Sequence, residues 1–361
     1  MRQIFVVGVN HRSAPVEIRE RLAFPQDRLA ETFTHLREAI RLDECLILST
    51  CNRMEIYGVA GEVDGTVHRL YDFLGRHSTL NRTALASSLY VHRQPESVHH
   101  LFRVTSGLDS MILGESEITG QVKEAYRHAC EHGATGKVFN VLFQKAFNAA
   151  KDVRSRTELG RGTVSVGSVA AELARKIFGL LHDRRILLLG AGGTGELVLK
   201  CLRDRGARHV VIANRSLEHA AHLAEQYQGR ATSLARSRDE LEEADIAVAA
   251  TGAGVYLLAA ADAESLMKRR RSRPLFLIDL SVPRNIDPLV SRLENVYLYN
   301  IDDLQGVAAG HRTVRESAVT QSHTIIQQKA QRFMEWLTTD GTDAVQVYRG
   351  DARERVSDAA S

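Results

Sequence analysis

Apolar and polar positions divide the 361-residue chain into stretches with different periods. Residues 3–9 form a run of β-branched and aromatic side chains and read as a strand. A loop at 10–15 follows, then a helical pattern over 25–41. Strands are predicted at 45–49 (CLILS), which runs straight into Thr50-Cys51-Asn52-Arg53, and at 55–60. Helical spacing covers 66–75, 95–105 and 119–132. This mixture predicts an α+β domain over residues 1–155.

A helical stretch rich in small residues, 165–181, reads as a connector. Residues 185–189 are continuously apolar, as buried parallel strands are. A glycine turn, a helix at 196–205 and a strand at 209–213 follow, with further strands at 246–250 and 275–279. That rhythm predicts a Rossmann-type, doubly wound dinucleotide domain over 156–305, connector included. Residues 311–337 hold no Gly or Pro, and Val314, Ala318, Ile325, Phe333 and Trp336 recur at loosely helical spacing. A helix of that span would be about 40 Å long. It cannot bury both sides in a small domain and is expected to pack on another helix or another subunit. Residues 306–361 are therefore set apart as a third region, with a short helix expected at 343–356. The predicted class is α/β multidomain.

Hydrophobic residues make up 44% and charged residues 25% of the chain, enough for a core in each domain. The net charge of +3 neither demands nor excludes a nucleic-acid partner. No stretch approaches the ~18 consecutive apolar residues of a membrane span, and the start does not read as a signal peptide. Four scattered cysteines, at 45, 51, 130 and 201, form neither a disulfide framework nor a metal-ligand pattern. A reducing cytoplasm is expected, and no metal.

Two signals carry chemistry. Gly190-Ala191-Gly192-Gly193-Thr194-Gly195 fits GxGxxG between a strand and a helix, the context in which the pattern binds a pyrophosphate. The next strand ends in Asn214-Arg215-Ser216 rather than in the acid that takes the ribose hydroxyl of NAD. A guanidinium pairs well with a phosphate, so NADPH is favoured over NADH. Cys51 is the second signal. It lies at a strand end among polar residues, Arg53 included, a setting that favours thiolate. The same residue is equally compatible with a small buried core position. A thiolate and a reduced nicotinamide together suggest acyl transfer to sulfur, then reduction of the thioester to an aldehyde.

With these residues in hand, the sequence resembles the glutamyl-tRNA reductase family over nearly its whole length. The resemblance rests on VGVNHRSAPVEIRE (7–20), LSTCNRMEIY (48–57), LFRVTSGLDSMILGESEITGQVKEAY (101–126), GAGGTGE (190–196), IDLSVPRNIDP (278–288) and NIDDL (300–304). It implies that Cys51 attacks the ester carbonyl of glutamyl-tRNA and that NADPH reduces the resulting thioester to glutamate-1-semialdehyde, the first step of five-carbon tetrapyrrole synthesis. It implies an activity-supporting histidine at His100. It implies a glutamyl pocket of Thr50, Asn52, Arg53, Ser110, Glu115, Ser116, Glu117 and Gln121, with Arg53 suited to a substrate carboxylate.

Residue chemistry alone leaves some of these roles open. His99 and His100 face about 100° apart on a helix, so at most one is expected to point into a site. Asp109, Glu115 and Glu117 would equally suit the start of the 119–132 helix, where acids are favoured. The basic run Lys268-Arg269-Arg270-Arg271-Ser272-Arg273 would suit tRNA phosphates or, more simply, a solvated loop. Glu115-Ser116-Glu117 departs from the family's common GEPQ form. The resemblance also implies a homodimer, altered here by a short C-terminal region that keeps the long helix, and an aminomutase partner for the aldehyde.

Overall fold

The computed structural model describes residues 2–111, 113–115, 117–159, 165–310 and 316–339. The chain separates into two compact units, Met1–Thr163 with Thr313–Ser361, and Val164–Arg312. Whereas the hydrophobic pattern sets 306–361 apart, the long C-terminal helix groups with the first unit.

The first unit is built on four antiparallel strands: β1 (Gln3–Asn10), β2 (Glu44–Ser49), β3 (Arg53–Ala60) and β4 (Tyr90–Arg93). Their order across the sheet is β2-β3-β1-β4. β1 and β3 are buried along almost their whole length, because helices cover the sheet. The helical pattern at 25–41 resolves into helix Leu29–Glu38, and a shorter helix, Val16–Leu22, precedes it. Helix Lys137–Arg156 was not anticipated. It has no side-chain cap of its own; the buried Glu44 carboxylate on β2 accepts from the N–H groups of Gly136, Val138 and Phe139 at 2.8, 3.1 and 2.7 Å. Those donors are among the four that a helix start leaves unsatisfied.

The described part of the C-terminal helix runs Glu316–Thr339 and packs against helices Glu96–Thr105 and Lys137–Arg156. Its buried stripe, Ala318, Ser322, Ile326, Ala330 and Phe333, repeats every three or four residues. Lys329 pairs with Asp152 at 2.7 Å. The partner that the long amphipathic pattern calls for is thus supplied within the first unit. Residues 311–315 and the helix expected at 343–356 lie outside the described residues.

The second unit holds six parallel strands: β5 (Arg185–Leu189), β6 (His209–Asn214), β7 (Arg230–Ser233), β8 (Ile246–Ala249), β9 (Leu275–Asp279) and β10 (Val296–Asn300). Their order is β10-β9-β8-β5-β6-β7. The chain lays down β5, β6 and β7 on one side, then crosses back to place β8, β9 and β10 on the other. That reversal puts a ligand crevice at the carboxyl ends of β5 and β8. Two of these strands, β7 and β10, were not anticipated. Among the described residues, no helix is long and apolar enough to cross a membrane.

Candidate active site

Cys51 occupies the tip of the tight turn joining β2 to β3. The Thr50 N–H donates to the Arg53 carbonyl at 2.8 Å, and the Thr50 hydroxyl accepts from the N–H groups of Asn52 and Arg53, both at 3.2 Å. The turn is tied to its neighbours as well: the His11 N–H donates to the Asn52 carbonyl at 3.0 Å, and Arg19 Nη1 donates to the Cys51 carbonyl. Cys51 is half-buried, while Cys45 is fully buried, and burial pushes its thiol up to about 12. Only the first of these two is placed for chemistry with a large substrate.

Below the turn lies a buried charge network. Arg53, Glu55 and Tyr57 alternate along β3 and so share one face of the sheet. Glu55 Oε1 accepts from Arg53 Nη1 at 2.6 Å and from Tyr90, while Oε2 accepts from the Tyr57 hydroxyl at 2.6 Å. His100 Nε2 lies 2.8 Å from Oε1. Burial pushes the Glu55 carboxyl up, but Arg53 and His100 outweigh it and hold it well below the usual carboxylate range. An ionised carboxylate only accepts, so His100 Nε2 is the donor. Gly8 stands opposite both Glu55 and Tyr90 in the sheet, and a Cβ there would meet Glu55 Cγ at 2.7 Å. The missing side chain leaves room for the tyrosine hydroxyl to reach the glutamate across β1.

Arg53 reaches a second acid, Asp109, at 3.1 Å to the carboxylate and 2.8 Å to the carbonyl. The guanidinium expected to meet a substrate carboxylate is 1% exposed and bound to two protein carboxylates, so a substrate would join an existing network here rather than meet a free cation. Asp109 also accepts from Arg12 Nη1 at 3.2 Å and Arg103 Nη2 at 3.0 Å. Burial pushes its carboxyl up, but Arg53 and the other cations hold it below its ordinary value.

Of the two adjacent histidines, His100 is buried and faces this network, whereas His99 is partly exposed. Ser110 is buried beside the Glu115 carboxyl, while His11 Nδ1 and Asn52 Oδ1 have no hydrogen-bond partner among the described residues. Unpartnered buried polar atoms are uncommon, and around the Cys51 turn they suit a polar substrate. Burial, reinforced by Arg12 and Arg53, pushes the His11 imidazole down to about 4, so it is neutral at pH 7. Burial pushes the Glu115 carboxyl up to about 7; Ser110 and Arg53 oppose the rise and Glu117 adds to it. Glu117 opens helix Glu117–Glu131, where Gln121 lies one turn on, partly exposed. Ser116 lies outside the described residues.

Residue-by-residue reading did not bring Glu55, Asp109, Tyr90, Arg12 and Arg103 into one network, and took Asp109 only as a helix-start acid. One signal was available. Two opposite charges two apart in a strand that is otherwise apolar must share a buried face, and must therefore pair.

In the second unit, Gly190 follows β5 at φ +97°, where a Cβ would meet the Ala250 carbonyl at 2.4 Å. Gly195 lets the following helix, Gly193–Asp204, sit against Ala250 and Leu188. Gly192 and Gly193 are exposed at the helix start, with open space or ordinary contact distance where a side chain would point. Ala191 and Thr194 are partly exposed beside them. The turn therefore fits a dinucleotide: bare backbone N–H groups meet a pyrophosphate at a helix N-terminus. Asn214 ends β6, Arg215 is exposed next to it, and Ser216 caps helix Leu217–Gln226. Across the crevice, the buried Asp279 accepts from the N–H groups of Ser281, Asn285 and Ile286, and Asn285 Oδ1 accepts from Thr251 at 2.6 Å, bracing the β8 and β9 loops.

The basic run has a structural role. Arg270 donates to the carbonyls of Leu241 and Glu242 at 2.7 and 2.8 Å, Arg273 donates to the Glu242 carbonyl at 2.8 Å, and Arg269 pairs with the Glu242 side chain at 3.0 Å. These residues finish the carboxyl end of helix Ser237–Glu243.

A parallel sheet of this order with a fitted glycine turn, joined to a cysteine-bearing α+β unit, defines a nicotinamide-dependent oxidoreductase. Residues 7–157 match the model for the glutamyl-tRNAGlu reductase N-terminal domain, and residues 172–307 match that for shikimate/quinate 5-dehydrogenase. The chain is 43% identical to the glutamyl-tRNA reductase of Syntrophotalea carbinolica over 92% of its length and 75% of that protein's. It is 41% identical to that of Halorhodospira halophila, over 97% and 78%. The solved glutamyl-tRNA reductase from Methanopyrus kandleri matches with a TM-score of 0.51 at 33% identity, covering 93% of this chain and 81% of that one. The chain belongs to the glutamyl-tRNA reductase family, NADPH-dependent oxidoreductases that catalyse the first step of tetrapyrrole synthesis.

Proposed function

We propose that this chain reduces glutamyl-tRNA to glutamate-1-semialdehyde through a covalent thioester on Cys51. The observation that carries the reading is the half-buried cysteine at the tip of a rigid turn, above a fully paired Arg53–Glu55–His100 network. The Cys51 thiolate attacks the ester carbonyl; the carbon–oxygen bond to the terminal ribose breaks, and the leaving oxygen takes a proton. NADPH, when bound, supplies the hydride that turns the thioester into the aldehyde and returns the thiolate.

The protein's own groups do the rest. Thr50 fixes the turn. Asn52, Ser110, Glu115, Glu117 and Gln121 offer polar atoms to the glutamyl group. His100 and Arg53 act as positioning residues through Glu55. Gly190 to Gly195 would hold the pyrophosphate, and Asn214, Arg215 and Ser216 would hold the adenosine ribose with its phosphate. The reading extends to a homodimer, to an aminomutase that accepts the aldehyde, and to the cytoplasm, where charged tRNA is available.

Mass spectrometry of the protein mixed with glutamyl-tRNA in the absence of NADPH tests the mechanism. A glutamyl adduct on the peptide carrying Cys51 is expected; an adduct elsewhere, or none, defeats it. Arg215→Gln tests the cofactor assignment. The KM for NADPH is expected to rise about tenfold or more, from loss of a charge-assisted contact, with little change for NADH. Equal losses with both cofactors would show that Arg215 does not read the phosphate.

A further inference from the structure

We propose that Arg12 and Arg103 form the contact for the phosphodiester backbone of the tRNA acceptor end, at the rim of the Cys51 site. The inference rests on the glutamyl-tRNA reading and adds where the polyanion docks.

Its starting point is an excess of cations around one acid. Asp109 is 3% exposed and needs a single guanidinium to balance it, which the buried Arg53 supplies at 3.1 Å. Two more guanidiniums converge on the opposite oxygen, Arg12 at 3.2 Å and Arg103 at 3.0 Å. Unlike Arg53, their side chains are 54% and 38% exposed. Within the network three arginines, Arg12, Arg53 and Arg103, face two carboxylates, Asp109 and Glu55, so a positive charge is left over on the exposed side. Partial burial of His323 on the C-terminal helix, and then the charge of Arg103, push that imidazole down and keep it from competing as a cation.

Geometry points the same way. Each exposed arginine gives Asp109 one Nη atom, which leaves other N–H groups of its planar fork for a second acceptor. The buried Arg103 Nε has no acceptor among the described residues. Asp109 thus fixes two forks in place in advance, which lowers the entropy lost on binding. Arg12 follows His11, whose N–H is bonded to the Asn52 carbonyl beside Cys51, so Arg12 springs from the chain that abuts the nucleophile's turn, and Arg103 meets it on the same Asp109 oxygen. The ester that Cys51 attacks hangs on the terminal ribose, and the nearest phosphodiester is attached to that same ribose. A polyanion delivering its last nucleotide to Cys51 must bring a phosphate to this rim, and paired guanidinium forks recognise phosphate bidentately.

The test compares Arg12→Gln and Arg103→Gln with the parent, using glutamyl-tRNA over a range of salt and, separately, a small activated glutamyl ester. Each variant is expected to raise the KM for glutamyl-tRNA roughly tenfold with kcat much less affected. The plot of log kcat/KM against log salt should flatten by about 0.7 per contact removed, the value for a single-stranded end. Arg12→Lys should keep the parent slope. Equal loss on both substrates would show that the arginines merely support the fold. An unchanged salt slope, with the Cys51 adduct still forming, would overturn this docking site alone. Absence of the adduct in the parent protein would remove the underlying mechanism as well.

Discussion

Replacing Cys51 with serine is expected to cut aldehyde formation at least about a thousandfold while leaving the protein folded, because a serine hydroxyl is not ionised near neutral pH and is a far weaker nucleophile than a thiolate. The substitution changes one atom at the tip of a turn. The turn is held by Thr50 and by backbone contacts from Arg19 and His11, none of which uses the sulfur. Melting behaviour and NADPH binding should therefore match the parent. Single-turnover assays with glutamyl-tRNA read the loss directly. A serine variant that kept a tenth of the parent rate would mean that no acyl–sulfur intermediate is needed.

Glu55→Gln is expected to be the most damaging conservative change outside the turn. The parent carboxylate is fully buried and takes Arg53, His100, Tyr57 and Tyr90 on two oxygens. An amide of the same shape keeps an oxygen for one or two donors but turns its nitrogen on the others and cancels the charge opposite Arg53. Breaking one side of a buried ion pair costs about 3–5 kcal/mol, because the other charge stays behind uncompensated. Asp109 remains and reduces that figure toward its lower end. The first transition in urea should move to lower denaturant, and kcat should fall about a hundredfold as His100 and Arg53 lose their shared anchor. Parent-like values in both measurements would falsify the network as described.

Legibility of the fold tracked how local each element's cause is. β5 and β9 are continuous apolar runs in a parallel sheet, and their limits could be read directly. β7, Arg-Ala-Thr-Ser at the sheet edge, has no apolar run and owes its form to pairing with β6. Helix Lys137–Arg156 went unseen because its start carries no capping residue; the acceptor for its first N–H groups stands 92 residues earlier in the chain. A second helix, Arg82–Ser88, is too short for its period to stand out.

The site divides along the same line. Cys51 and the glycine turn sit in contiguous motifs whose geometry follows from a strand, a turn and a helix in succession. The setting of Arg53 does not. Its partners come from β3 itself and from Asp109, 56 residues on, and only the folded sheet brings the two together. An arginine read by itself looks like a ligand for the substrate, whereas paired with two carboxylates it braces the pocket. The arginine-rich stretch at 268–273 carried the opposite risk, since its charge suggests an outward role and its hydrogen bonds point inward.

Gly8, at the middle of the central strand, has a consequence for how the first unit fails. Where other strand positions contribute an apolar side chain, this one contributes a gap filled by an anion and a phenol. Cohesion at the heart of the sheet is therefore ionic. A carboxyl held below its ordinary range when folded takes up a proton more readily once the chain opens, so a falling pH favours opening. Acid at and below the ordinary carboxylate range, not milder acid, should loosen this sheet from its centre outward, while the apolar strands around it still hold.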